Sequence, residues 1–101
     1  MKRNYHNCEM VKVDQRDFDE ILSNRVDRLS SLEDWIVTMI RCYVFQEYQT
    51  SAPYCWVDGC LFLDVNKSGH NDYFFLVRGE HGLLSYYVDE DGIMYMMRFL
   101  N

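Results

Sequence analysis

Tyr73-Phe74-Phe75-Leu76-Val77-Arg78-Gly79-Glu80-His81-Gly82-Leu83-Leu84-Ser85-Tyr86-Tyr87-Val88 is the stretch that decides how this chain folds. Two runs of aromatic, aliphatic and β-branched residues flank a short glycine-bounded turn, which is the pattern of a β-hairpin. A two-residue turn at Glu80-His81 pairs Arg78 with Leu83 and Val77 with Leu84. A third apolar run over 93–100 follows the turn at 89–92. That turn can centre on Glu90-Asp91 or on Asp91-Gly92, and both choices give the same side-chain parity.

With that parity one face of the sheet carries Tyr73, Phe75, Val77, Leu84, Tyr86, Val88, Ile93, Tyr95, Met97 and Phe99. It has no charge and is expected to pack on the helices. The other face carries Phe74, Leu76, Arg78, Leu83, Ser85, Tyr87, Met94, Met96, Arg98 and Leu100. An outer face of an antiparallel sheet is ordinarily polar, and this one is not. Arg78 and Arg98 fall to either side of Leu83 and give an acidic chain one local basic spot. Tyr, Phe, Met and Arg are enriched at protein interfaces. Phe74, Leu76, Arg78, Leu83, Tyr87, Met94, Met96 and Arg98 are therefore candidate partner-binding residues. The plainer reading is that another segment of the chain covers this face, or that the arginine stems do so.

Moving toward the N-terminus, Tyr54-Cys55-Trp56-Val57 and Cys60-Leu61-Phe62-Leu63 flank Asp58-Gly59, which suits a type I′ hairpin turn. Pro53 closes the helical half of the chain. Within that half, Ser30 with Glu33, or Ser31 with Asp34, opens a helix in capping-box fashion. Leu32, Trp35, Ile36, Met39, Ile40, Tyr43 and Val44 form its buried stripe, widened by Val37 and Cys42. A helix apolar around most of its circumference is expected at the centre, between the other helix and the sheet. Its polar strip is Asp34, Thr38 and Arg41, which Phe45 continues where a polar residue is expected. The earlier helix is predicted near 15–29, capped by Asp14, with Phe18, Ile21, Leu22, Val26 and Leu29 as its apolar stripe. Residues 8–13 read as a short first strand with poor alternation, or a loose arm. These elements predict one α+β domain over 1–101: two N-terminal helices packed on one face of a C-terminal antiparallel β-meander of four to five strands.

Composition sets the function classes. Acids outnumber bases 16 to 10, for a net charge of −6, so phosphate backbones and anionic membrane surfaces repel the chain. No direct nucleic-acid or membrane partner is expected. The start Met1-Lys2-Arg3-Asn4-Tyr5-His6 lacks the apolar run of a signal peptide. No stretch approaches about 18 uninterrupted apolar residues. A cytoplasmic location, or the host cytoplasm for a phage-encoded chain, and reduced thiols are the expectation.

Catalytic and metal chemistry finds little support. Asp64, Asn66, Ser68 and Gly69 match the first half of an EF-hand loop, but Phe75 stands where the bidentate glutamate belongs. Cys55 and Cys60 lie a diagonal of about 7–8 Å apart in the Asp-Gly hairpin, too far for a relaxed disulfide. Cys8, Cys55, Cys60 and the histidines His6, His70 and His81 form no recognised ligand pair. There is no phosphate loop, nucleophile elbow or dinucleotide turn. The expectation is a non-enzymatic chain without cofactor or metal.

Two functions remain. The first is a stoichiometric inhibitor or adaptor that occludes a larger partner with a basic, often nucleic-acid-binding, surface. The acidic helix face of Asp17, Asp19, Glu20 and Asp27, or the turn Asp89-Glu90-Asp91, would stand in for phosphates. Compact acidic domains of this size are familiar among phage proteins that disable host machinery, CRISPR inhibitors included, and among immunity proteins; the analogy is one of size and charge. The second is a homodimer or assembly subunit built through the outer sheet face. A small enzyme is a lesser alternative.

Overall fold

The computed structural model describes residues 8–48, 54–63 and 71–99. Six strands form one antiparallel sheet: β1 (Cys8–Lys12), β2 (Tyr54–Val57), β3 (Cys60–Leu63), β4 (Tyr73–Gly79), β5 (Gly82–Val88) and β6 (Met94–Phe99). Their order is β1-β6-β5-β4-β3-β2, a meander to which the N-terminal strand adds itself at the β6 edge. The described residues also form two α-helices, α1 (Phe18–Ser23) and α2 (Asp34–Tyr48), each entered through a 3₁₀ turn, at Gln15–Asp17 and Ser31–Glu33. The α+β class and the antiparallel meander are as expected from the sequence, with one strand more.

Local turn chemistry accounts for the first two hairpins. Asp58 and Gly59 both take positive φ, 52° and 79°, the backbone a type I′ turn requires. Val57 accordingly pairs with Cys60. Arg78 pairs with Leu83 and Val77 with Leu84, as read from the sequence.

The β5–β6 connection differs. Val88 pairs with Met94 and Tyr87 with Tyr95, so the loop holds three residues beyond Asp89 rather than two. The Asp89 carboxylate accepts hydrogen bonds from the backbone N–H of Asp91 and of Ile93, both at 2.9 Å. Gly92 supplies the left-handed residue, at φ 79°, that ends a three-residue loop. The extra residue reverses the parity of all of β6. Met94, Met96 and Arg98 therefore share a face with Phe75 and Tyr86. Tyr95, Met97 and Phe99 share the face of Phe74 and Leu76.

The two helices lie on opposite faces of the sheet. Ile36, Val37, Ile40 and Val44 of α2 pack on Leu61, Phe74, Leu76 and Met97. Phe18, Ile21 and Leu22 of α1 pack with Val13 on Phe75, Tyr86, Val88 and Met94. Alternate strand residues point to opposite faces, so these are two cores, one on each side. The expected stack of both helices on one face, with α2 sandwiched, is corrected to three layers.

The first helix also ends six residues earlier than its apolar stripe predicts. Beyond Phe74 and Phe75, β4 has no β3 partner, and its free edge recruits the chain instead. Arg25 bridges Val77, and the Val26 N–H donates to the Leu76 carbonyl at 2.8 Å. An unsatisfied buried backbone group costs more than a helical turn gains. Val26 and Leu29 consequently pack in the α2-side core. The chain crosses from one face to the other between Leu22 and Val26. The Arg25 guanidinium secures the crossing by donating to the Asp58 carbonyl at 2.6 Å and to the Leu22 carbonyl at 2.9 Å.

Replacing Ile40, fully buried on the sheet-facing side of α2, with alanine is expected to destabilise the fold by about 2–5 kcal/mol, read as a lowered urea midpoint. Gly59 and Gly92 test the crossing. Both have positive φ, and an alanine there costs about 1–2 kcal/mol through the backbone. A Cβ at Gly92 meets nothing within 4 Å, whereas one at Gly59 meets Asp27 Oδ1 at 3.0 Å and Arg25 Cγ at 3.1 Å. Gly59→Ala should therefore lower the midpoint more than Gly92→Ala; equal losses would show that the Arg25 segment does not press on the turn.

Candidate functional site

The eight sheet residues expected to form one interaction face are divided by the reversed β6 register. Phe74, Leu76, Arg78, Leu83 and Tyr87 lie on the α2 side, and Met94, Met96 and Arg98 on the α1 side. Phe74 and Leu76 are buried beneath α2, and Met94 is buried on the other side among the residues that α1 packs against. Leu83 and Tyr87 are half-buried against the α2 core, and Met96 against the α1 core. The eight residues thus do not share one face, and Phe74, Leu76 and Met94 are interior, while Arg78 and Arg98 remain exposed.

The two arginines do not make a basic spot. Arg78 donates to both carboxylate oxygens of Glu33, at 2.6 and 3.3 Å. Arg98 pairs with Glu9 at 3.3 Å, its direct neighbour across the β1–β6 register. Glu33 also accepts the Ser30 backbone N–H at 2.9 Å, closing the capping box that starts the helical segment. The Arg78 hydrogen bond, followed by that of the Ser30 backbone, holds the Glu33 carboxyl down to about 2. Arg16 is likewise taken by Asp14, at 2.7 Å.

Acids concentrate elsewhere. Phe18, Ile21 and Leu22 turn one side of α1 to the sheet, which leaves Asp19 and Glu20 on its outer side, with Asp17 just ahead in the 3₁₀ turn. All three are exposed. Neither Asp19 nor Glu20 enters an ion pair among the described residues. Asp27 is separated from them. It follows the crossing and lines an open cleft of about 330 Å³ with Arg28, Leu29, Asp34, Val37 and Trp56 on the α2 side. Of the four expected acids, the fold gathers three.

Sequence reasoning missed the outer side of α2. Leu32 and Trp35 were expected in its buried stripe, yet they are 88% and 56% exposed, and Phe45 is 53% exposed. With α1 on the opposite face of the sheet, nothing among the described residues packs on that side as a second helix. The apolar circumference of α2 was the signal. It was misread because α1 was expected to cover it.

Two thiols, Cys8 and Cys60, are held protonated. Burial, reinforced by Glu47, pushes Cys8 up to about 11, and burial also raises Cys60; a protonated thiol is a poor nucleophile and a poor ligand. Among the described residues no three His, Cys, Asp or Glu side chains gather around a common point. The segment resembling the start of a calcium loop, Asp64 to Gly69, lies outside the described residues, as do His6 and His70. No helix among the described residues is long and apolar enough to cross a membrane.

A pH dependence follows from Glu33. Its folded-state pKa lies below the ordinary carboxyl value, so its contribution is complete above about pH 4.5 and is lost as pH falls through about 2. Thermal melts of the wild type between these limits should show stability falling with pH, and Glu33→Gln should flatten that part of the profile. An unchanged slope in Glu33→Gln would mean that the Arg78 pair does not couple to folding.

In comparisons with known proteins, no family model, no curated protein and no solved structure matches the chain.

Proposed function

We propose that this chain is a non-enzymatic protein-binding domain that acts by stoichiometric occlusion of a larger partner with a basic, nucleic-acid-binding type of surface. The observation that carries the reading is the segregation of charge. Arg16, Arg78 and Arg98 are each neutralised within the domain by Asp14, Glu33 and Glu9, whereas Asp17, Asp19 and Glu20 project together from the outer side of α1.

Exposed carboxylates without a counter-charge act on a partner before contact. They raise the rate of encounter with a basic surface, an effect that salt screens within about 10 Å at 0.1 M. At contact they occupy the positions that phosphates would take, and the bulk of the domain excludes the nucleic acid. Little structure is lost in the process, because Asp19 and Glu20 enter no ion pair among the described residues that binding must break. The acidic turn Asp89-Glu90-Asp91 is less suited. The Asp89 carboxylate is already committed to the backbone N–H groups of its own loop.

The test uses the tagged chain as bait in a lysate of its source cell or that cell's host, at low and high salt, with bound protein identified by mass spectrometry. A partner held one-to-one at low salt and released at high salt is expected. The double variant Asp19→Lys with Glu20→Lys should capture it with association slowed about tenfold. A partner bound equally well at low salt by wild type and variant would remove α1 from the interface.

A further inference from the structure

The outer side of α2 has chemistry that the acidic surface does not use. Its inner side is committed to the sheet through Ile36, Val37, Ile40 and Val44. On a 3.6-residue period, the opposite side presents Trp35, Thr38, Met39, Cys42, Phe45 and Gln46, with Leu32 one turn ahead in the 3₁₀ segment, and the exposed Asp34 and Arg41 run along one flank. The strip itself carries no charge, in a chain with a net charge of −6, and its flank carries one acid and one base. We infer that a second copy of this chain docks here, by antiparallel packing of α2 on α2 around a two-fold axis.

Charge selects this occupant. The strip is uncharged and its flank sets one carboxylate, Asp34, against one guanidinium, Arg41, so a basic partner finds no excess of acid here, while two copies that repel each other elsewhere meet without a net like charge. Area supports it as well. A wholly exposed Leu32 with a half-exposed Trp35 and Phe45 offers roughly 400 Å² of apolar surface per copy. Doubled by symmetry and joined by the polar fringe, that approaches the about 1,000 Å² expected of a specific interface.

Spacing fits a two-fold. In an antiparallel pair whose axis passes between Thr38 and Met39, Trp35 of each copy lies opposite Cys42 of the other, and Leu32 opposite Phe45. The largest side chain of the strip then meets its smallest apolar one, which is how two helix surfaces interdigitate. No charged residue falls on the axis.

The experiment is multi-angle light scattering during size exclusion, with the full chain loaded from about 1 to 200 μM. The wild type is expected to be dimeric at the upper end. Trp35→Glu with Phe45→Glu should raise the dimer dissociation constant at least 30-fold, as loss of two central apolar anchors does. Thr38→Arg, an exposed polar position that leaves the apolar core untouched, places two like charges at the axis and should do the same. The α1 variant Asp19→Lys with Glu20→Lys should remain dimeric, which separates this inference from the proposed function. A wild type monomeric at 200 μM overturns the inference, as does a dimer that survives both Thr38→Arg and the double glutamate variant, or one lost on reversing the α1 charges.

Discussion

Phe74, Phe75 and Leu76 are consecutive in a strand and 3%, 0% and 0% exposed, and that constraint governs the rest of the structure. Neighbouring strand residues point to opposite faces, so burying three in a row requires cover on both sides of β4. At roughly 1.5–3 kcal/mol for each large apolar side chain removed from water, neither face can be left wet. One helix on each side meets the requirement. A stack of two helices on one side would leave Phe75, and with it Tyr86, Val88 and Met94, exposed. The chain must then pass from one face to the other, and the unpaired half of the β4 edge is where it does so. Arg25 sits at that passage with its backbone bridging Val77 and its guanidinium on the Asp58 and Leu22 carbonyls.

The same constraint decides what the surface can do. A sheet covered on both faces has little area of its own to offer, so interaction chemistry moves to the outer sides of the helices. These differ in kind. The short α1 shows carboxylates, and the long α2 shows an apolar strip with Trp35 and Phe45, flanked by Asp34 and Arg41. Two arginines of the sheet are committed within the domain, Arg78 in closing the helix start through Glu33 and Arg98 in holding β1 to β6 through Glu9. The exposed carboxylates of α1 and the exposed Leu32, Trp35 and Phe45 at α2 thus lie on opposite sides of the sheet. The two surfaces can serve different partners without interfering.

Much of the fold is legible locally. Asp58-Gly59 specifies its hairpin through the positive φ those two residues favour, and Gly82, at φ 132°, supplies the glycine conformation that ends the Glu80-His81 turn. Ser30 and Glu33 mark a helix start just as locally. The register of β6 is not legible in this way. The choice between a two- and a three-residue loop at 89–92 rests on whether the Asp89 carboxylate folds back on its own backbone, and one residue of difference inverts every side chain that follows. The candidate partner face failed at this point: Met94, Met96 and Arg98 were joined to Phe74 and Leu76 by a parity that the loop reverses. The unbroken run Tyr73 to Val77 was itself a sign of a strand buried on both sides.

The order of the elements, the hairpin turns, the helix starts and the excess of acid are determined by the sequence itself, since each depends on residues within a few positions of one another. Only the tertiary structure decided where α1 ends, which face each helix covers and which apolar residues of α2 meet water. Those outcomes depend on β4 outrunning β3 and so leaving a backbone edge free at Leu76 and Val77. Arg25 and Val26, some fifty positions away in the chain, satisfy that edge better than another turn of helix would.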